Sequence, residues 1–148
     1  MYEELFCGLG ADLRATIVPM SHDRHQEMVL IKDIDFFSVC EHHLVPFSGK
    51  AHDAYIPSEN GHITRLSGLA RLVRVAAARP QLQERITSEV ADALQEALRP
   101  LGTFVLIEAE HLCMSMPPFM PPTNTFFRSQ PHAPAGPAFP LVAQTTLL

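Results

Sequence analysis

Proline sets the first limit on this chain. Seven of its thirteen prolines, at positions 117, 118, 121, 122, 131, 134 and 137, lie between residues 117 and 137, and Pro140 follows. Proline has no amide donor and a locked φ, so a run this dense is not expected to build a regular helix or sheet. The expected division is a folded unit over residues 1–116 and a proline-rich arm or tail over 117–148. At 148 residues the chain is one domain by size, and its 47% hydrophobic content suffices for a core without disulfides. Eleven Lys and Arg against sixteen Asp and Glu leave a net charge of -5, which argues against nucleic acid or a membrane surface as a partner. No window approaches the roughly 18 uninterrupted apolar residues of a membrane span. The acidic opening Met1-Tyr2-Glu3-Glu4 lacks the pattern of a signal peptide, so a cytoplasmic location is expected. In a reducing compartment, the three spread cysteines Cys7, Cys40 and Cys113 read as thiols or metal ligands.

Ahead of the proline-rich segment, hydrophobic periodicity marks the elements. Residues 1–26 are weakly patterned, with room for a short amphipathic helix near the start. Met28 to Phe37 is rich in β-branched and aromatic residues and reads as a strand. Pro46 confines the segment from Ser38 to Phe47 to a loop or an edge. Ser48 to Ile56 alternates as a second strand, closed by the turn Pro57-Ser58-Glu59-Asn60-Gly61. Ser67 is placed to cap a helix running to about Arg79, with Leu69, Leu72, Val73 and Ala76 on one face. Leu82, Ile86, Val90, Ala93, Leu94 and Ala97 form a second helical stripe. Thr103 to Ala109 is a short buried strand leading into His111-Leu112-Cys113.

The sharpest chemical feature is Cys40-Glu41-His42-His43. A cysteine and a histidine three residues apart can reach one metal ion from a turn, and Cys113 can supply a third ligand. Two thiolates and one imidazole suit Zn²⁺, and three protein ligands leave a fourth position for water. The plainer reading of so short a motif is a buried free cysteine beside two surface histidines. On a strand, residues two apart share a face, which puts His111 beside Cys113. His42 and His111 are then candidate general acids or bases, or solvent-exposed neighbours of the cluster. Gln83-Glu84 can bind a guanidinium-like edge or lie on a solvated helix face. Arg65, Arg71, Arg74 and Arg79 fall in a stretch with no acid between Glu59 and Glu84. They can hold an anion near a helix start, with Ser67 adding a hydroxyl, or snorkel from an amphipathic face.

These pieces occur together in one family. Residues 27–36, then Cys40-Glu41-His42-His43-Leu44-Val45-Pro46-Phe47-Ser48-Gly49-Lys50, closely resemble GTP cyclohydrolase I. The likeness continues through Tyr55-Ile56-Pro57, Leu66-Ser67, Ala70-Arg71-Leu72-Val73, Gln81-Leu82-Gln83-Glu84-Arg85 and Glu96-Ala97-Leu98-Arg99-Pro100, and closes on His111 to Met116. The resemblance implies an α+β tunnelling fold, an antiparallel sheet with two helices on one face. It implies assembly into a multimeric barrel, a homodecamer with active sites between subunits. It implies opening of the GTP imidazole ring at C8, release of formate and formation of a dihydroneopterin-type product. By position, Cys40, His43 and Cys113 would bind zinc, and His42 and His111 would move protons. Glu84 would anchor the guanine edge with Gln83 beside it, and Ser67 and Arg71 would lie near the ribose and phosphates.

Two departures bear on the substrate. The family has a lysine after the serine matching Ser67, where this chain has Gly68. It has Met-Arg-Gly after the second zinc cysteine, where this chain reads Met116-Pro117-Pro118. Two cations expected at a triphosphate are absent, and Arg65, or an arginine from a neighbouring subunit, is the candidate replacement. Three functions follow as expectations. The first is a zinc cyclohydrolase acting on a guanine nucleotide. The second is the same ring opening on a nucleoside or free purine base. The third is a non-catalytic relative that binds zinc or purine, disfavoured because every metal, proton-transfer and base-recognition position is filled.

Overall fold

The computed structural model describes residues 1–21, 27–59, 61–115 and 125–132. A four-residue helix α1 (Tyr2–Leu5) and a 3-10 turn (Arg14–Thr16) precede the strands β1 (Val29–Cys40) and β2 (Pro46–Ile56). Helix α2 (Leu66–Ala77), the two-residue strand β3 (Pro80–Gln81) and helix α3 (Gln83–Leu98) follow. Strand β4 (Gly102–His111), the short helix α4 (Leu112–Ser115) and strand β5 (Thr125–His132) complete the order. The sheet runs β3-β1-β2-β4-β5. Its long pairings are antiparallel, and β3 alone runs parallel to its neighbour β1.

Helices α2 and α3 cover one face of the sheet. Leu69, Leu72, Val73 and Ala76 of α2 and Ile86, Val90 and Leu94 of α3 meet Ile34, Phe36, Phe47, Ala51, Tyr55, Val105 and Ile107 of the strands. This is the 3.6-residue stripe of each helix laid on the two-residue alternation of each strand. Phe36 and Phe47 pack edge to face with ring centres 6.1 Å apart. Gly49 allows β2 to approach β4, since a Cβ there would sit 1.8 Å from the Glu108 carbonyl oxygen. Among the described residues no helix is long and apolar enough to cross a membrane.

The sequence reading needs three corrections. Helix α2 is not capped by Ser67: its first turn closes on the carbonyl of Arg65, which accepts from the amide of Gly68 at 2.8 Å. Ser67 is instead the second helical residue, exposed to solvent. His111 and Cys113 do not share a strand face, because β4 ends at His111 and the chain turns into α4. The proline-rich segment is not wholly irregular. Strand β5 pairs with β4 from Glu110↔Thr125 to Thr103↔His132. No proline lies between Pro122 and Pro131, and Pro131 falls on an outer strand, where a missing amide donor is tolerated. The remainder, 116–124 and 133–148, including Met116, Pro117 and Pro118, lies outside the described residues.

Asp53 interrupts the apolar face of β2 between Ala51 and Tyr55. It is fully buried, and neither carboxyl oxygen finds a hydrogen-bond partner among the described residues. Burial pushes its pKa up to about 7. In the unfolded chain this proton leaves near pH 4, so between about 4 and 7 unfolding releases a proton and stability falls as pH rises. Asp53→Asn keeps the shape and removes the ionisation. Urea unfolding across that range is expected to show a flatter pH dependence and a gain of about 1–4 kcal/mol over the native chain at pH 8. Equal slopes for the two proteins would contradict it.

Candidate metal centre and its surroundings

The end of β1 and the start of β2 are joined by a closed turn. The amide of Leu44 donates to the Cys40 carbonyl at 2.8 Å, and the amide of Cys40 donates to the Val45 carbonyl at 2.9 Å. Leu44 takes a left-handed conformation, φ +54°, a strain of about 1–2 kcal/mol for a residue with a Cβ. The turn folds His43 back over Cys40, with Sγ and Nδ1 3.7 Å apart. Helix α4 brings Cys113 to the same place. One donor atom each from Cys40, His43 and Cys113 lies within 4.8 Å of the others. Donors around a tetrahedral zinc stand roughly 3.3–3.8 Å apart, so closing on an ion takes about 1 Å of contraction. Cys40 is buried, Cys113 half-buried and His43 exposed, which leaves one side of the cluster open. Burial, reinforced by the neighbouring Cys40, pushes the Cys113 thiol up. Two soft thiols and an imidazole fit Zn²⁺, whose charge reverses that penalty by favouring thiolates.

His111 is held by an aromatic ring and an amide. Its ring stacks on Phe47, with centres 4.5 Å apart and planes 6° from parallel, because the two residues face each other across β2 and β4. Its Nε2 lies 3.0 Å from Oε1 of Gln83. Gln83 Nε2 donates to the Ile107 carbonyl at 2.9 Å. A carbonyl only accepts, so the Gln83 amide nitrogen belongs at Ile107 and its oxygen at His111. That oxygen also only accepts, so His111 carries its proton on Nε2 and its lone pair on Nδ1. Burial holds the His111 pKa below its ordinary value, while the nearby Glu84 carboxylate draws it upward.

The other expected site residues separate into two groups. Glu84, exposed in the first turn of α3, lies close enough to His111 for that electrostatic effect. His42 is exposed, with its ring perpendicular to that of His43 at 6.0 Å. Gln83 is buried, and its amide spans Ile107 and His111. Its amide therefore supports His111 from behind. Arg65 and Ser67 sit at the opposite end of α2, with Arg71 midway along it. That helix ends at Ala77 and leads into β3, which pairs with Val39 and Cys40. Ser67 lies ten residues before Ala77, about 15 Å along the helix axis. Arg71 Nη2 donates to the Thr16 carbonyl at 2.9 Å, which ties the N-terminal segment to α2. Gly68 is buried under Thr64, whose Oγ1 would lie 3.0 Å from an added Cβ.

Three residues near the cluster escaped the sequence reading. Phe47 had no signal, because its partner His111 is set by strand register. Glu41 and Arg85 flank expected site residues in sequence, and they form a two-pronged ion pair. Arg85 holds the Glu41 carboxyl below the usual carboxylate range.

Comparisons with known proteins agree with the geometry. The family model for GTP cyclohydrolase I matches residues 1–129. Proteins named GTP cyclohydrolase 1 from Streptococcus pyogenes serotype M1 and serotype M3 (strain SSI-1) are 59% and 60% identical over 116 residues. The counterpart from Streptococcus agalactiae serotype Ia is 57% identical over the same length. Those 116 residues make up 78% of this chain but only 59% of each Streptococcus pyogenes relative. Among solved structures, the archaeosine synthase QueF-Like in its apo form superposes with a TM-score of 0.58 at 15% identity, covering 74% of this chain and 96% of that one. That likeness carries the tunnelling fold alone.

The Gln83 bridge generates a prediction. Gln83→Leu removes both amide bonds from a buried position. The unfolding free energy is expected to drop by about 1–3 kcal/mol, and the ring nitrogens of His111 to lose the single-tautomer ¹⁵N shift pattern of the native chain. A native shift pattern in the variant would refute the tautomer assignment.

Proposed function

The chain belongs to the GTP cyclohydrolase I family, and from that premise we propose that it hydrolyses the imidazole ring of a guanine nucleotide at C8, with release of formate and a dihydroneopterin-type product. The observation that carries this reading is the convergence of Cys40, His43 and Cys113 beside an oriented, half-buried His111. Zinc bound by those three residues would supply Lewis-acid activation of water near neutral pH. The chain's own groups supply the rest. His111, neutral and carrying its lone pair on Nδ1, is suited to take a proton from the attacking water. The exposed His42, next to the ligand His43, is suited to protonate the purine nitrogen and make C8 more electrophilic. Glu84 is suited to accept two N–H bonds from the guanine edge. The ligand thiols must be reduced, which suits a cytoplasmic setting.

A second copy of the chain completes this site in our reading. Arg65 and Ser67 lie at the end of α2 away from the metal cluster of their own chain, and Arg71 is engaged with the Thr16 carbonyl. A neighbour's α2 can bring them there, which agrees with a homo-oligomer, a decamer by family resemblance, carrying sites between subunits. Residues 1–116 would form the catalytic unit, and 117–148 an arm whose strand β5 extends the sheet.

One observation favours a second reading of the substrate. Gly68 is buried against Thr64 and Arg71 is engaged with Thr16, so the exposed Arg65 is the cation left at the start of α2 to meet a triphosphate. Under this reading the ring opening is kept and the substrate is a nucleoside or free base.

A panel of GTP, GDP, GMP, guanosine and guanine with the zinc-loaded full chain decides the matter, with formate and product masses as readouts. We expect one formate for each GTP consumed. Turnover confined to guanosine or guanine would select the second reading, and no formate from any of them would overturn both. Cys113→Ser is expected to lose bound zinc and turnover together. His111→Ala is expected to keep zinc and slow turnover by about 10²–10⁴-fold; a normal rate would remove His111 from the chemistry.

A further inference from the structure

Cys40, His43 and Cys113 arrive on two segments far apart in the chain, and no ligand residue lies on α3. Yet the first turn of α3 touches both segments. Gln83 reaches His111, two residues before Cys113. Arg85 reaches Glu41, which lies between Cys40 and His42, with its two terminal nitrogens on the two carboxylate oxygens. Contacts therefore run in a closed circuit from α3 through Glu41 to the Cys40–His43 turn, across the donor cluster to Cys113, and back through His111 and Gln83.

The turn needs such a hold. Glu41, His42, His43 and Leu44 are all exposed. The backbone of Glu41 has one bond to the neighbouring strand, its amide donating to the Gln81 carbonyl at 3.1 Å. Leu44 holds the turn in a left-handed conformation that an unconstrained residue would leave. An ion pair this exposed adds little to global stability. What a planar guanidinium clamped on a carboxylate does supply is orientation. We propose that Arg85 is a positioning residue for the metal centre: its clamp on Glu41 holds the Cys40–His43 turn in ligating geometry against α3 before the ion arrives.

The proposal rests on the metal-site reading above, and its test separates the two. Zn²⁺ affinity of the full chain is measured by competition with a chromogenic chelator. The Co²⁺-loaded visible spectrum reports ligand geometry, and urea unfolding of the metal-free protein reports stability. Arg85→Ala is expected to weaken Zn²⁺ binding about 10–100-fold and to shift the Co²⁺ bands, with the metal-free unfolding midpoint unchanged. Arg85→Lys, which keeps the charge but not the fork, is expected to fall between. Glu41→Gln is expected to cost as much as Arg85→Ala, and the double variant no more than either. Affinity within twofold of wild type in Arg85→Ala, additive losses in the double variant, or a parallel drop in the metal-free midpoint would each overturn the proposal. Failure of the wild-type chain to bind Zn²⁺ would overturn the metal-site reading itself, and the positioning role with it.

Discussion

The candidate site hangs from a two-residue parallel pairing, Pro80–Gln81 against Val39–Cys40. Gln81 is fully buried, and its side chain donates to the Ala76 carbonyl at 3.1 Å and to Glu89 Oε2 at 2.7 Å. Its backbone carbonyl accepts from Glu41. One residue thus joins the end of α2, the body of α3 and the cysteine end of β1. The same pairing sets where α3 begins, because Gln83 follows after a single residue. It therefore places Gln83, Glu84 and Arg85 beside the Cys40–His43 turn. Buried amide groups are costly to leave unpaired, so the junction resists sliding by even one residue.

Around that junction rigidity and reactivity are divided. His111 rests on an aromatic ring and a buried amide, in surroundings that favour its neutral form. The Cys40–His43 turn is exposed and left-handed at Leu44. A site that binds an ion needs donors brought close together, and the Cys113 thiol is raised by burial first and by the neighbouring Cys40 second. The ion's charge settles the balance only if the donors already face one another. The Cys40–His43 turn and helix α4 bring these donor atoms to within 4.8 Å of one another.

The start of α2 follows a different logic. Thr64 packs over Gly68 and donates to the Val18 carbonyl, while Arg71 donates to Thr16. These contacts strap the N-terminal segment onto the helix. A helix start that lacks the family's lysine can close over itself in this way, because a glycine leaves room for the threonine hydroxyl. The start of α3, proposed to meet the guanine edge, and the start of α2, proposed to meet phosphates, are held by separate contacts.

Much was legible in one dimension because it depends on near neighbours. Helices α2 and α3, strands β1 and β2 and the Cys40–His43 pair are written in periodicities and spacings that span a few residues. The motif order sufficed for the family. Three features were not legible, each because it depends on residues far apart in the chain. Phe47 stacks on His111 through a register shared by β2 and β4. The roles of Gln83 and Arg85 depend on which strand end α3 starts against. Strand β5 forms in a proline-rich stretch because β4 offers an edge, and an edge tolerates Pro131. Residue types and short spacings carried the choice of chemistry, while orientation, tautomer and the distance between α2's start and the metal cluster came from packing. Those are properties of contacts between segments, and no local spacing encodes them.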